Sequence, residues 1–379
     1  MLKNNKIEMQ PLNTYLTEYK EYNTDGTYKP VAIGKFGIRT RESIYKKELA
    51  NDYSKNKIIY KNTLTVGMGS SQIDIGILTE DVLYSVSPAY HTYRISGAIN
   101  SDYLGYCLKR KNNEMFNLYM KRGSRQGKSI DLGRWLTYCI PVYSIENQLY
   151  IVQILSGIEA IIKKKLQVLE SLDVLIKARF VEMFGDPVKN PFGLPLKKLS
   201  ELGTLDRGRS KHRPRNAPEL LNGPYPLIQT GEVAASDLYI TEYHNTYSEI
   251  GLKQSKMWKA GTLCITIAAN IAQTAIMSFD ACFPDSVVGF VPGNKMSALY
   301  LHYWFGFFQK ILEEQAPQVA QKNINLKILS DLKVVVPVRE QLTAFETFVT
   351  QIDKSKVAVQ KSLEQTQLLF DSLMQQYFG

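Results

Sequence analysis

The chain contains the same long segment twice. The first copy begins at an Ile-Pro-Val sequence at 140–142 and ends at Phe184-Gly185, and the second begins at Val-Pro-Val at 336–338 and ends at Phe378-Gly379. Each copy is an apolar-periodic run without proline after its opening, which is typical of a long helix. Because the two phenylalanines lie 194 residues apart in a chain of 379, the sequence predicts one unit used twice, a globular half followed by a long helix.

The two globular halves also repeat, but weakly. The matching segments are short and fall in the same order along the chain. They are Pro30-Val31-Ala32-Ile33 with Pro226-Leu227-Ile228-Gln229, Thr63-Leu64 with Thr262-Leu263, 102–106 with 299–303, and 127–132 with 321–326. This order predicts a common fold with different surfaces, and so two related but non-identical ligands. A structural duplication without functional meaning is the alternative.

Both predicted helices carry apolar residues at alternating steps of three and four, which is the seam of a coiled coil. The main seam positions are Leu155, Ile158, Ile162, Leu169, Leu172, Ile176, Ile352, Val359, Leu363 and Phe370. A run of about 36 residues would extend roughly 54 Å. The simplest interpretation is that the two helices pair antiparallel and hold the globular halves apart.

The first helix has more apolar surface than one partner helix needs. Its additional apolar residues are Val152, Ile154, Ile161, Leu166, Val168 and Leu175. This wider stripe predicts that a further protein binds the helix. Lys165 and Arg179 interrupt the seam, and we interpret them as snorkelling side chains or as residues that fix the register.

The composition is that of a soluble globular chain with two cores. Hydrophobic residues make up 44% and charged residues 22%, no apolar run reaches the length of a membrane span, and the N-terminus does not read as a signal peptide. Cys107, Cys139, Cys264 and Cys282 have no paired spacing, so we expect reduced, buried, intracellular thiols. The formal net charge of +10 favours a polyanionic partner.

Positive charge is concentrated in one segment of each half. In the second half the cations fall at every other position, so an extended backbone would align them along one edge, where they could bind phosphates or read guanine. These cations are Arg207, Arg209, Lys211, Arg213 and Arg215, and those of the first half are Lys121, Arg122, Arg125 and Lys128. A solvated loop is the alternative for each segment. Further candidates for base contacts follow apolar strands or precede the second long helix: Gln229, Thr230, Asn270, Gln273, Lys322 and Asn323.

The motifs of covalent chemistry are missing. The segment 123–129 resembles a phosphate-binding loop, but it has three residues between its glycines where the motif requires four. The four histidines show no metal-ligand spacing. Pro284-Asp285 and Asp331-Leu332-Lys333 have the letters of a nuclease core, yet their long separation favours coincidence. The sequence therefore predicts no catalytic residue and no metal site.

Two variable halves alternating with two similar long helices resemble the specificity subunit of type I restriction–modification enzymes. The resemblance spans essentially the whole chain and is strongest in three segments. They are the helix end at 175–187, the entry to the second half at 196–209, and its exit at 321–324 with 335–341. It implies an α+β fold with two similar α/β target-recognition domains, two antiparallel coiled-coil helices and a pseudo-two-fold repeat. The corresponding division is 1–147 and 187–338 for the domains, and 148–186 and 339–379 for the helices.

The resemblance also implies a function. Each domain would read one part of a split, asymmetric site in double-stranded DNA, while two methyltransferase subunits and the restriction subunits join the helices. S-adenosylmethionine, ATP and Mg²⁺ would then belong to those partners, and the complex would be cytoplasmic in a bacterium or archaeon. Two alternatives remain open. The chain could be a self-contained DNA methyltransferase or nuclease, or a coiled-coil assembly scaffold without specific DNA binding.

Overall fold

The computed structural model describes residues 7–34, 37–43, 52–122, 128–212, 214–268, 272–315 and 325–379, without the side chains of 122, 128 and 310–315. Its contacts divide the chain into two compact units. The first unit contains Met1–Gln167 and Gln360–Gly379, and the second contains Val168–Val359. Both units therefore include a part of each long helix, and the division into four consecutive segments stays a prediction.

Two helices of 40 residues dominate the secondary structure: Ile145–Phe184 and Arg339–Phe378. Each would extend about 60 Å at the helical rise, so both are slightly longer than the periodicity predicted. The first helix is followed by Gly185, whose φ of +74° is the left-handed conformation that glycine adopts without strain. Its amide donates to the Val181 carbonyl at 2.8 Å, which satisfies an end carbonyl of the helix.

The first unit contains an antiparallel sheet with the strand order Leu16–Tyr19, His91–Ile95, Thr63–Met68 and Ile73–Leu78. Its other elements are short strand pairs and helices. The pairs are Glu8–Pro11 with Cys139–Val142, Val31–Gly34 with Gly37–Thr40, Lys57–Ile59 with Tyr84–Val86, and Met120–Arg122 with Lys128–Ile130; the helices are Ser101–Tyr119 and Leu132–Trp135.

The second unit contains a sheet with the strand order Gly203–Arg207, Val287–Pro292, Leu263–Thr266, Thr274–Met277 and Tyr239–Ile240, the last strand being parallel to its neighbour. A smaller sheet has the order Asn245–Tyr247, Leu221–Leu227, Ala281–Cys282 and Met257–Trp258, and Leu196–Lys198 pairs with Lys333–Val335. The remaining helices are Thr230–Ala235, Glu249–Lys253, Ala298–Gln315 and Leu326–Asp331.

The two units are built on the same plan. In both, four antiparallel strands follow the same order, and a short pair of strands joins the beginning of the unit to the segment before its exit. Tyr103 and Tyr300 occupy matching places: both are fully buried, and their hydroxyls donate to the carbonyls of Pro141 and Val335 at 2.7 and 2.9 Å. The α+β class, with two similar domains and two long helices, is confirmed.

The helices pair antiparallel within the first unit. Lys165 Nζ donates to the carbonyl and Oγ of Ser362 at 2.8 and 2.7 Å and to Thr366 Oγ1 at 2.6 Å. Because the lysine is half-buried and held by three acceptors on the other helix, it fixes their register. Further along, Phe370 and Phe378 are buried in the core that also contains Tyr103.

A corresponding pairing lies in the second unit. Lys356 Nζ donates to Asp173 Oδ1 at 2.7 Å and to Asp237 Oδ2. Burial alone would lower the pKa of Lys356, but the hydrogen bonds with the two carboxylates outweigh it and raise that pKa. Asp237 follows the helix Thr230–Ala235, so this lysine ties the globular part of the unit to the long-helix pair.

The structure buries or half-buries every predicted seam residue, whereas much of the additional apolar stripe is exposed. Val152 and Ile154 pack against the first core. The exposed large apolar residues on the first helix are Ile145, Leu149, Tyr150, Ile161, Leu166, Val168, Val174, Leu175 and Val181. Within the described residues, no helix is both long and apolar enough to cross a membrane.

One prediction about the cysteines is wrong. Cys107, Cys264 and Cys282 are buried, but Cys139 is exposed. It is the first residue of the strand Cys139–Val142 and pairs with Pro11 at the end of the two-stranded sheet, whereas the next two residues, Ile140 and Pro141, are buried.

Candidate nucleic-acid interface

A cleft of about 400 Å³ in the second unit brings several of the predicted DNA-binding residues together. Arg215, Gln229 and Thr230 line it, beside Asn216 and Asn245. Gln229 and Thr230 follow the strand Leu221–Leu227, so the end of a strand carries them to the cleft. Amide and hydroxyl groups of this kind can both donate to and accept from the edges of bases.

The first unit has a cleft of about 520 Å³ at the same place in its fold. In both units the lining includes residues at or just after the end of one inner strand of the sheet, and residues at or just before the start of the strand beside it. In the first unit these are Gly67 and Met68 on one side and Tyr90 and His91 on the other. In the second unit they are Ala268 on one side and Pro284 and Ser286 on the other. The two clefts are thus equivalent in position and different in chemistry.

The basic segment of the second unit follows the predicted alternation only in part. Arg207, Arg209 and Lys211 are exposed while Gly208 and Ser210 between them are buried, which is the pattern of an extended strand with one outward edge.

The prediction that all five cations share one edge is wrong. Beyond Lys211 the extended run ends, because Gln254 Oε1 accepts from the amides of Lys211 and His212 at 2.6 and 3.1 Å. Arg215 lies in a turn just after Pro214, whose ring fixes φ, and it lines the cleft. Arg213 lies outside the described residues.

Two aspartates contact cations of this segment, and the sequence did not single them out as part of this site. Asp206 Oδ2 accepts from Lys256 at 2.9 Å and lies 3.9 Å from Arg209 Nη2. The hydrogen bond from Lys256 lowers the pKa of Asp206, so this carboxylate is ionised at neutral pH. The backbone carbonyl of Asp285 accepts a hydrogen bond from Arg207 Nε at 2.7 Å. The carboxylate Oδ1 of Asp285 lies 2.6 Å from Arg215 Nη2.

In the first unit the structure describes only one of the four predicted cations in full. Lys121 forms an ion pair with Asp131 at 2.7 Å. Arg125, and the side chains of Arg122 and Lys128, lie outside the described residues. The cleft itself is lined by Arg41, Tyr90 and His91, which the sequence did not indicate. A closer alignment of the strand ends between the two halves would have been the signal for them.

None of the other predicted DNA-binding residues is placed at the cleft by the described part of the structure. Gln273 pairs with Thr266 through backbone and hydroxyl bonds and does not line the cleft. Asn270, Lys322 and Asn323 lie outside the described residues. Asp331 forms an ion pair with Lys198 at 2.7 Å, whereas Asp285 pairs with Arg215. In the described part of the chain, no group of three or more His, Cys, Asp or Glu residues could hold a metal ion.

Gly208 makes the basic segment sensitive to a single methyl group. A Cβ there would lie 2.3 Å from the Pro284 carbonyl oxygen and 2.4 Å from that of Phe283, both rigid backbone atoms. We expect Gly208→Ala to push the segment away from this loop, with a loss of about 1–3 kcal/mol in the free energy of unfolding. Thermal denaturation measures the loss.

The matched control for this change is Gly306→Ala, where nothing lies within 4 Å of the added methyl group. It sits inside the helix Ala298–Gln315, so alanine should be neutral or slightly stabilising. Equal melting temperatures for the two variants would contradict the close packing of the basic segment.

Comparison with known proteins assigns the chain to a family. The family model described as "Type I restriction modification DNA specificity domain" matches residues 9–171 and again residues 195–366. The duplication read from the sequence is thereby confirmed. The two matches together span most of the chain.

Two solved structures have the same fold. The type I restriction-modification system S subunit from M. genitalium aligns with a TM-score of 0.60 at 15% identity, covering 100% of this chain and 98% of that one. A structure reported for the complex assembly and conformational transition of the type I R-M system gives a TM-score of 0.59 at 14% identity, with 100% and 98% covered. The chain therefore belongs to the family of type I restriction–modification DNA specificity domains, of which it carries two copies.

Proposed function

We propose that this chain is the non-catalytic subunit that reads a split, asymmetric DNA site and directs partner methyltransferase and restriction subunits to it. Each unit reads one part of the site, and the paired helices set the distance between the two parts. DNA lies against the two clefts and the basic segments beside them, which contribute phosphate contacts as well as base contacts.

The observation that carries this proposal is the pair of clefts. They occupy equivalent positions, but Arg215, Gln229 and Thr230 line one, while Arg41, Tyr90 and His91 line the other. A repeated fold with exchanged donors and acceptors suits two readers of different base sequences. The chain has 46 basic and 36 acidic residues, and the resulting net charge of +10 agrees with a polyanionic ligand.

The helices support the part of the proposal that concerns protein partners. Ile161 and Leu166 are 47% and 52% exposed in the first unit, and Val174 and Leu175 are 61% and 46% exposed in the second. These residues stand outside the seam on a continuous helix, so they remain available after the helices have paired. We propose that one methyltransferase subunit docks on this exposed apolar surface in each unit.

The cofactors of methylation and cleavage belong to the partners in this proposal. The described residues offer no cluster of His, Cys, Asp or Glu that fits Mg²⁺. The second cleft is lined mainly by uncharged polar and apolar side chains, with a single arginine. In the proposal, S-adenosylmethionine, ATP and Mg²⁺ are held by the methyltransferase and restriction subunits.

A module exchange tests the proposal. Residues 187–335 are replaced by the corresponding part of another family member, and the chain is expressed with its methyltransferase in a host without background methylation. Because the second unit carries its own cleft and basic segment, we expect the methylated motif to change in one half and to keep the other. Sequencing of the methylome gives the motif directly.

A second measurement, on the chain without its partners, separates the alternatives. Methylation or cleavage of DNA by the isolated chain would identify a self-contained enzyme. A complex that assembles but methylates without sequence preference would identify a scaffold. An exchange that alters both half-sites would mean that the units read DNA jointly, which contradicts the proposal.

A further inference from the structure

We propose that Arg215 reads a guanine in the half-site of the second unit, and that Asp285 is the residue that positions it for this contact. The neighbouring Arg209 and Lys211 contact phosphates instead. This inference rests on the proposed function, because it assigns different roles to cations within one DNA-binding surface.

The geometry separates Arg215 from the other cations. It alone among the described cations of the basic segment lines the cleft, where Gln229, Thr230 and Asn245 lie beside it. Arg209 and Lys211 are on the exposed edge of the extended run. The turn after Pro214 therefore takes one arginine away from the edge and places it among side chains suited to base edges.

Asp285 makes Arg215 better suited to a base than to a phosphate. The carboxylate oxygen lies 2.6 Å from one terminal nitrogen of the guanidinium and offsets much of its charge. A phosphate contact depends mainly on net charge, and it weakens when that charge is neutralised. A guanine contact depends on two N–H groups held in a fork, and the guanidinium has five such donors. The ion pair thus leaves N–H donors free for a guanine and reduces the net positive charge that attracts a phosphate.

The same residue also limits the freedom of the surface. The carbonyl of Asp285 accepts from Arg207 Nε at 2.7 Å, so one loop position holds two arginines at once. Asp285 follows Pro284, whose carbonyl oxygen lies 2.3 Å from where a Cβ on Gly208 would be. An arginine fixed before DNA arrives loses less side-chain entropy on binding, which increases discrimination between bases.

The test compares Arg215→Lys and Asp285→Asn with the unaltered chain, each assembled with its methyltransferase. The unit-two half-site is first identified by the module exchange. We expect it to contain a guanine that Arg215→Lys relaxes, lowering discrimination at that position roughly 5- to 150-fold. Lysine keeps the charge and loses the fork, so affinity for non-specific DNA should stay within about twofold. Asp285→Asn should relax the same position by a smaller factor.

Three controls distinguish positioning from a structural effect. The half-site of the first unit must stay unchanged, which shows that the complex folds and assembles. Asp285→Asn added to Arg215→Lys should cause no further relaxation, because the aspartate acts through the arginine. The double change Arg209→Ala with Lys211→Ala should weaken all sequences similarly and flatten the salt dependence by about one unit per lost contact, without altering base preference.

The outcomes are distinct. The inference is overturned if the half-site of the second unit contains no guanine, or if Arg215→Lys leaves that half-site unchanged. In both cases the proposal that the two units read a split DNA site still stands. Additive effects of Asp285→Asn and Arg215→Lys overturn the positioning role. If the unaltered chain directs methylation to no split site, the proposed function itself fails.

Discussion

Replacing Phe180 by alanine is expected to lower the free energy of unfolding of the second unit by about 3–5 kcal/mol. Its ring is fully buried, and ring centroids of Phe184, Tyr300, Phe307 and Phe345 lie 5.0–5.5 Å from it. Alanine would leave a cavity among rigid rings that cannot collapse into it. For a unit of this size, we expect calorimetry to show a fall in melting temperature of roughly 6–20 °C.

Val174→Ala on the same helix is the matched control, because Val174 is 61% exposed and should change stability by about 0.5 kcal/mol or less. If Phe180→Ala melted at the temperature of Val174→Ala, the first long helix would not be part of the core of the second unit.

Lengthening both long helices is expected to move the two half-sites apart by a defined number of base pairs. The insertions fall at the boundaries of the two units along the chain, between Gln167 and Val168 and between Val359 and Gln360. Three heptads in each helix preserve the seam and add about 32 Å, close to the 34 Å of one turn of B-DNA. We expect the gap in the methylated motif to grow by nine or ten base pairs while both half-sites keep their sequences.

A single heptad in each helix is the informative comparison. It adds about 10 Å, or three base pairs, over which the duplex turns by roughly 100°. The half-sites would then face different sides of the duplex, so methylation should fall on the order of tenfold or more. Equal methylation with one and three heptads would argue against a helical spacer that sets the distance.

The long helices could be predicted from the sequence because their signal is periodic and local. Alternating steps of three and four can be recognised without knowledge of the rest of the fold. The structure buries or half-buries all seam positions from Leu155 to Phe370. The shared plan of the units could be predicted as well, since matching segments such as those around Tyr103 and Tyr300 keep their order.

The cation partners and the clefts could not be predicted. Asp285 comes within 2.6 Å of Arg215 only because a turn redirects the chain after Lys211, and no local pattern encodes that contact. The exposed position of Cys139 at the beginning of its short strand depends on where the strand pair ends, which the spacing of the cysteines does not show. The division of each long helix between the two units could not be predicted either, because the order of segments in the sequence does not show which core a helix end enters.

The ends of the long helices give the chain the topology of an intertwined dimer fused into one polypeptide. Phe184 lies at the end of the long helix of the first half of the sequence but packs against Tyr300 in the second half. Phe378 lies at the end of the long helix of the second half and packs against Tyr103 in the first half. Each core is therefore completed by a helix from the opposite half. A fragment cut at residue 186 would leave its core open and its own aromatic helix end in water. Only a reciprocal exchange with a second polypeptide could bury both surfaces, so severing the sequence at its midpoint does not separate the folded units.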